Sequence, residues 1–260
     1  MVVVDRPGEL KALLDAERAR GKTVGFFPTK GVRHGGHCAD IAKMAAECDV
    51  AVVGIYPGAA DLGRRAGDGL RASDLAVDLA RAEAAGATVA FVPPAQEVAP
   101  DGVASTTARL LSLAAPCYAY FGEKDYERLL AVRKVVKDLS LPAAVVACPT
   151  VREPDGLALS SCNGDLSVLE RAAASAFYWA LLAGKRAVDE SGETDAGAVR
   201  AAMAQVLARP GMVDVEQAQV VDPGTLGPVG AISGEVRLVV AGRIGRHRLV
   251  DNVAARRQEA

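Results

Sequence analysis

Apolar residues along the first 150 positions alternate between two spacings. Gly8–Arg20 sets Leu10, Leu13 and Leu14 on one helical face, and Gly36–Cys48, Ala72–Ala85, Val103–Ala114 and Tyr126–Leu139 repeat that spacing. Between them lie short apolar runs at Thr23–Phe27, Val50–Ile55, Thr88–Val92, Cys117–Phe121 and Ala143–Cys148. Val50–Ile55 is apolar throughout, as a strand covered on both faces requires. Helices alternating with such strands predict βαβ units around a parallel sheet. Tyr56–Arg71, rich in glycine and arginine, reads as a loop, and Pro93-Pro94 ends the third strand.

After Pro149 the pattern changes. Ser167–Gly184 is an alanine-rich helix with Ser167 and Glu170 spaced as a capping box. Ala196–Ala208 is a second helix, stopped by Pro210. Strand-like runs follow at Val213–Val221, Val236–Ala241 and His247–Val253, the last two joined by a hairpin at Gly242–Gly245. The pattern predicts a Rossmann-like α/β domain over 1–150 and a smaller α+β domain over 151–260.

Composition narrows the function. In 260 residues, hydrophobic side chains make up 50% and charged ones 24%, the balance of a globular protein with ample core. A formal charge of −2 and 4% aromatics leave neither a basic footprint nor stacking surface for nucleic acid, so no nucleic-acid partner is expected. No stretch approaches the length of a membrane span, and the apolar run at the N-terminus is too short for a signal peptide. The five cysteines are scattered, without metal-site spacing, and fit a reducing cytoplasm.

Candidate chemistry gathers at three stretches. The first, Pro28-Thr29-Lys30-Gly31-Val32-Arg33-His34-Gly35-Gly36-His37, holds two of the chain's three histidines at a strand-to-helix turn. A helix start leaves backbone N–H groups unpaired and favours negative charge, and histidines there can add donors to a phosphate. The second, Gly122-Glu123-Lys124-Asp125, is a charged turn where a lysine can meet phosphate and an aspartate can hold ribose hydroxyls. The third runs from Val151 through Ser160 and Ser161 to Asn163. Paired serines beside asparagine can bind phosphate, although the same residues also suit an interdomain linker.

In order and spacing these stretches resemble the pantothenate synthetase (pantoate–β-alanine ligase) family, whose motifs match Pro28–His37, Phe121–Tyr126 and Val151–Asn163. The tail motifs Arg237–Ala241 and Arg248–Asn252 look like that family's C-terminal end. The resemblance implies a HIGH-type nucleotidyltransferase fold, a homodimer, and an ATP- and Mg²⁺-dependent ligation through an acyl-adenylate, joining a small carboxylic acid to an amine. It casts His34 and His37 as the residues that steady the phosphates, Lys124 as a bridge to the reacting carboxylate, and Ser160 and Ser161 as the grip on the β- and γ-phosphates. Pro28, Thr29, Gly36, Gly122, Asp125 and Val151 would complete the nucleotide site.

Departures from the family pattern cluster at the acid pocket. The family's two glutamines after Lys-Asp-Tyr are Glu127 and Arg128 here, and its Asn-Pro-x-Gln-Phe loop is replaced from Tyr56 to Asp61. The Arg-Pro-x-His-Phe segment is absent between Asp101 and Ala114. Losing hydrogen-bond partners for substrate hydroxyls costs on the order of 10⁴-fold in selectivity, so the departures predict an acid other than pantoate, with Lys30, Arg33, Tyr56 and Arg128 as its contacts. Cys162 stands where the family has arginine, while Lys30 and Arg33 add cations to the first loop; these either restore the lost charge at the triphosphate or, as Lys30 with Arg128, recognise a second carboxylate on a different acid. Authentic pantothenate synthesis, a homologue that only binds nucleotide, and an enzyme that stops at the adenylylated product are the alternatives.

Overall fold

A computed structural model of the chain describes residues 1–56, 72–94 and 103–257. The replaced acid-binding loop beyond Tyr56 lies outside these residues. The chain divides into two units, Met1–Gly122 with Ala131–Pro149, and Glu123–Leu130 with Thr150–Ala260. Relative to an expected boundary near Val151, the turn Glu123–Leu130 goes with the second unit.

In the first unit six strands form one sheet of order β1-β4-β3-β2-β5-β6, with every pairing parallel. They are β1 Val2–Val4, β2 Val24–Thr29, β3 Val50–Ile55, β4 Val89–Phe91, β5 Cys117–Gly122 and β6 Ala143–Cys148. The helices are α1 Pro7–Ala19, α2 Gly35–Glu47, α3 Ala72–Ala84, α4 Val103–Ala114 and α5 Tyr126–Asp138, whose first turn belongs to the second unit. β1 is an addition to the pattern read above: Val-Val-Val is too short to show a period, and only its pairing with β4 makes it a strand. β2 and β3 are buried at every position, as central strands covered on both faces must be. Phe27, Val53 and Ile55 pack there against Ile41 and Met44 of α2 and Ala82 of α3. From β2 the chain winds outward to β3 and β4, then returns to β5 on the other side of β2. β2 and β5 therefore flank the point where strand order reverses, and crevices outside the carboxyl ends of such strands are where α/β sheets bind ligands.

The second unit packs helices on one face of an antiparallel sheet of order β7-β8-β9, formed by Val213–Val221, Glu235–Ile244 and His247–Arg256. Phe177, Leu181 and Val188, Val199, Met203 and Leu207, and Leu238, Val240 and Ile244 make its core. The single helix expected over Ser167–Gly184 is two, α6 Val168–Ala174 and α7 Ala176–Asp189, with α8 at Ala196–Ala208. Their break is at Ser175, whose hydroxyl donates to the Ala172 carbonyl and competes with the helical ladder. The Ser167–Glu170 capping box forms as expected. The β8–β9 turn falls at Gly245-Arg246 rather than across Gly242–Gly245, because Gly242 and Arg243 remain paired in the ladder and Gly245 takes φ +55°.

Candidate active site

The carboxyl end of β2 runs into the first motif. Pro28 and Thr29 are the buried last residues of the strand. The Thr29 hydroxyl accepts from the Gly31 N–H at 3.2 Å and donates to the Gly31 carbonyl at 2.9 Å, which tightens the turn. Gly31 has φ +142°, and a Cβ there would lie 2.6 Å from the Asp78 carboxylate, so only glycine fits. Helix α3 then clamps the fully buried Val32. The Val32 N–H donates to Asp78, and Arg81 donates to the Val32 carbonyl at 3.0 Å. Burial raises the Asp78 pKa above the usual carboxylate value, with the Val32 hydrogen bond and the nearby Arg33 and Arg81 pulling the other way. Lys30 and Arg33 are left exposed beside this turn, and Tyr56, just beyond β3, is buried.

His34 is the extended residue before α2, while His37 lies inside its first turn. Their rings stack with centroids 3.9 Å apart. The Arg33 N–H donates to Nδ1 of His37 at 3.2 Å, which makes Nδ1 the acceptor and leaves the proton of a neutral ring on Nε2. The His34 side chain at the N-cap makes no capping bond and no acidic residue lies in the first turn, so the positive helix end is not neutralised from within the helix. Gly36 is buried in that turn. One turn further on, Asp40 hydrogen-bonds the Cys148 thiol at the end of β6, and its carboxylate would lie 3.4 Å from a Cβ on Gly122. Burial raises the Asp40 pKa to about 7.

The second unit holds the remaining motif residues. Lys124 is half-buried, and desolvation pulls its pKa below the usual lysine value while Asp251 and Asp125 oppose the shift. Asp125 is exposed and accepts weakly from the Arg128 N–H at 3.4 Å, in the manner of a helix cap. Lys124, Asp125 and Tyr126 line a cleft of about 220 Å³ with Val239, Arg248 and Asn252 of the sheet. The third motif folds back on itself. Arg152 bridges to Ala158, Gly156 turns with φ +91°, and Asn163 donates to Glu153 at 3.0 Å and to the Ala158 carbonyl at 3.1 Å. Val151 and Ser160 are part-exposed and Ser161 is exposed; the Ser160 hydroxyl accepts from the Cys162 N–H at 3.4 Å. Cys162 is partly buried against the core.

Thus Pro28, Thr29, Lys30, Arg33, His34, Gly36, His37 and Gly122 belong to the first unit, and Lys124, Asp125, Arg128, Val151, Ser160 and Ser161 to the second. Sequence reasoning gave no role to Asp40, Asp78, Arg81, Arg237, Asp251 or Asn252. Only the last three stood within motifs noticed at all.

Fold and motifs together define a class: a Rossmann-like nucleotidyltransferase that carries out ATP-dependent, AMP-forming ligation of an acid to an amine. A sequence profile of the Pantoate-beta-alanine ligase family matches residues 2–101 and 100–254, and the chain belongs to that family. It is 37% identical to Pantothenate synthetase 1 of Frankia alni, over 97% of this chain and 98% of that protein. It is 33% identical to the pantothenate synthetase of Sulfurihydrogenibium sp., over 97% and 99% of the two. The crystal structure of pantothenate synthetase from Thermus thermophilus superposes with a TM-score of 0.85 at 34% identity, covering 97% of this chain and 99% of that one. Among the described residues no helix is long and apolar enough to cross a membrane.

Proposed function

We propose that this chain condenses pantoate with β-alanine, converting ATP to AMP and pyrophosphate. A carboxylate oxygen of pantoate attacks the α-phosphorus and the bond to the β-phosphate breaks, releasing pyrophosphate. The amine nitrogen then attacks the acyl carbon of the adenylate, the acyl C–O bond breaks, and AMP leaves with the bonding pair while the amine gives up a proton. The other-acid expectation yields here to the full-length likeness to proteins named pantothenate synthetase. With Glu127 and Arg128 in place of the family's glutamines, the hydroxyls of the same acid are then met by other residues.

The observation that carries this reading is the bond from the Arg33 N–H to Nδ1 of His37. With Nδ1 accepting from the Arg33 N–H, the ring is oriented with its Nε2 side as the donor side at the start of α2, suited to charge building on phosphate oxygens. His34 stacks on it, Lys124 joins phosphate to the reacting carboxylate, and Ser160 and Ser161 hold the outer phosphates. Pro28, Thr29, Gly36, Gly122, Asp125 and Val151 complete the nucleotide site, and Lys30 and Arg33 add local positive charge. Among the described residues no three His, Cys, Asp or Glu side chains gather for a metal. The candidate donors are imidazole, ammonium and hydroxyl, which suit phosphate oxygens, so Mg²⁺ fits as an ion carried by the triphosphate. The homodimer and the cytoplasmic setting belong to the same reading.

The test is pantoate-dependent ATP–pyrophosphate exchange. Pantoate should support exchange, and His37→Ala should lower it about 10²–10³-fold, the usual cost of losing one preorganised donor. Exchange with another acid and none with pantoate would restore the other-acid reading. ATP binding without exchange under any acid would mean a non-catalytic homologue.

A further inference from the structure

The turn that carries Lys124 is fastened by residues more than a hundred positions away in the sequence, on β9 and β8. Asn252 is 4% exposed, and each of its polar groups is engaged. Its Nδ2 donates to the carbonyls of Glu123 at 3.0 Å and Lys124 at 2.9 Å, and its Oδ1 accepts from Nε of Arg237 at 2.7 Å. Arg237 continues outward, with its guanidinium 4.0 Å over the Tyr126 ring and 3.4 Å from the Glu123 carboxylate. Tyr126 in turn donates to the Pro223 carbonyl at 3.0 Å. Successive strand residues point to opposite faces, and the neighbouring Asp251 uses the other side. It accepts two bonds from Arg152, at 2.5 and 3.0 Å, while Arg152 lies 4.5 Å over the Tyr178 ring. The adjacent pair Asp251-Asn252 thereby holds two of the three motifs at once.

We infer that Asn252 is a positioning residue for the ligation, fixing the backbone of Glu123 and Lys124 so that the Lys124 ammonium is presented in one geometry, with Arg237 locking the amide. The inference rests on the role given to Lys124 above. Two carbonyls and one guanidinium need a side chain with two donors and an acceptor, which among short side chains only asparagine supplies. Aspartate would set a carboxylate against two carbonyl oxygens. Alanine would free the turn while leaving the lysine itself intact.

A double-mutant cycle tests this, read by ATP–pyrophosphate exchange with pantoate in the full-length protein. Asn252→Ala should lower kcat about 30-fold with KM for ATP changed less than about threefold, since misplacing a reacting group by an ångström costs up to about 10²-fold. In a Lys124→Ala background, measured at high enzyme concentration, the same substitution should change the residual rate less than about twofold, because its effect passes through the lysine. Arg237→Lys, which keeps the charge but not the Nε contact, should act in the same direction by about fivefold and also vanish in that background. It serves in place of Asn252→Ala should that variant not fold. An equal loss with and without Lys124 would overturn the inference and leave Asn252 as a general structural contact. Full exchange in Lys124→Ala alone would instead overturn the role of the lysine, and the inference with it.

Discussion

Asp40 shows how much a single residue can hide. One aspartate on an amphipathic helix reads as surface, and nothing in its spacing marks it apart from lying three positions after His37. In the fold it meets the Cys148 thiol, and burial raises its pKa from 3.8 to about 7. The Cys148 pKa is itself pushed far up by burial, so the thiol stays protonated and donates to the carboxylate across the working range. The folded protein therefore keeps a proton on Asp40 that the unfolded chain releases as pH rises from about 4 to about 7. Stability falls across that window and stays lowered above it. Asp40→Asn, which resembles the protonated acid, should be more stable than the parent by about 2 kcal/mol at pH 8, allowing for partial exposure. At about pH 3.5, where the carboxyl is largely protonated in both states, the advantage should largely disappear. Urea unfolding at both values checks this, and an advantage that does not shrink on acidification would contradict the burial argument.

At the scale of elements, legibility followed period. Helices such as Val103–Ala114 and Ala196–Ala208 and the strand Val50–Ile55 were readable because their apolar spacing is decided locally. What escaped was fixed by distant partners or by one hydroxyl: β1, which exists through its pairing with β4, and the break at Ser175. The third motif lies between these cases. Its residues also suited an interdomain linker, yet Gly156 at φ +91° lies against α7, where a Cβ would come 1.8 Å from Cδ1 of Tyr178. The same Tyr178 ring sits under Arg152, so pushing it aside disturbs the Arg152–Asp251 pair as well. Gly156→Ala should cost at least about 2 kcal/mol, combining backbone strain with displacement of a packed ring. Guanidinium unfolding measures the loss. Gly164→Ala, where a Cβ meets nothing within 4 Å and φ is ordinary, is the control and should stay within about 0.5–1 kcal/mol.

For the molecule as a whole, the class of fold was legible because three motifs keep their order along the chain, and order survives substitution. The acid was not, since the glutamines replaced at Glu127 and Arg128 read as losses when a pocket is judged position by position. On the proposed reading the hydroxyls of pantoate are met by other residues, and one sequence does not display such compensation. Nor was the allegiance of Glu123–Leu130 visible, because Tyr126–Asp138 is one uninterrupted helical pattern and the bonds from Asn252 come from far along the chain. Overall charge bears on the last question, whether Lys30 serves the nucleotide or the acid. A formal charge of −2 gives no long-range attraction for a polyanion, so capture of ATP must rely on local cations. Lys30 and Arg33 are exposed on either side of a turn that leads into the N-terminus of α2. Lys30→Met should therefore raise KM for ATP about fivefold and flatten its dependence on salt, as expected when one exposed charge is removed from a screened interaction. The order in which pantoate and other small acids support exchange should not change. If ATP binding were unaltered and the acid order changed instead, Lys30 would belong to the acid pocket, and the proposal that pantoate is the acid would have to be abandoned.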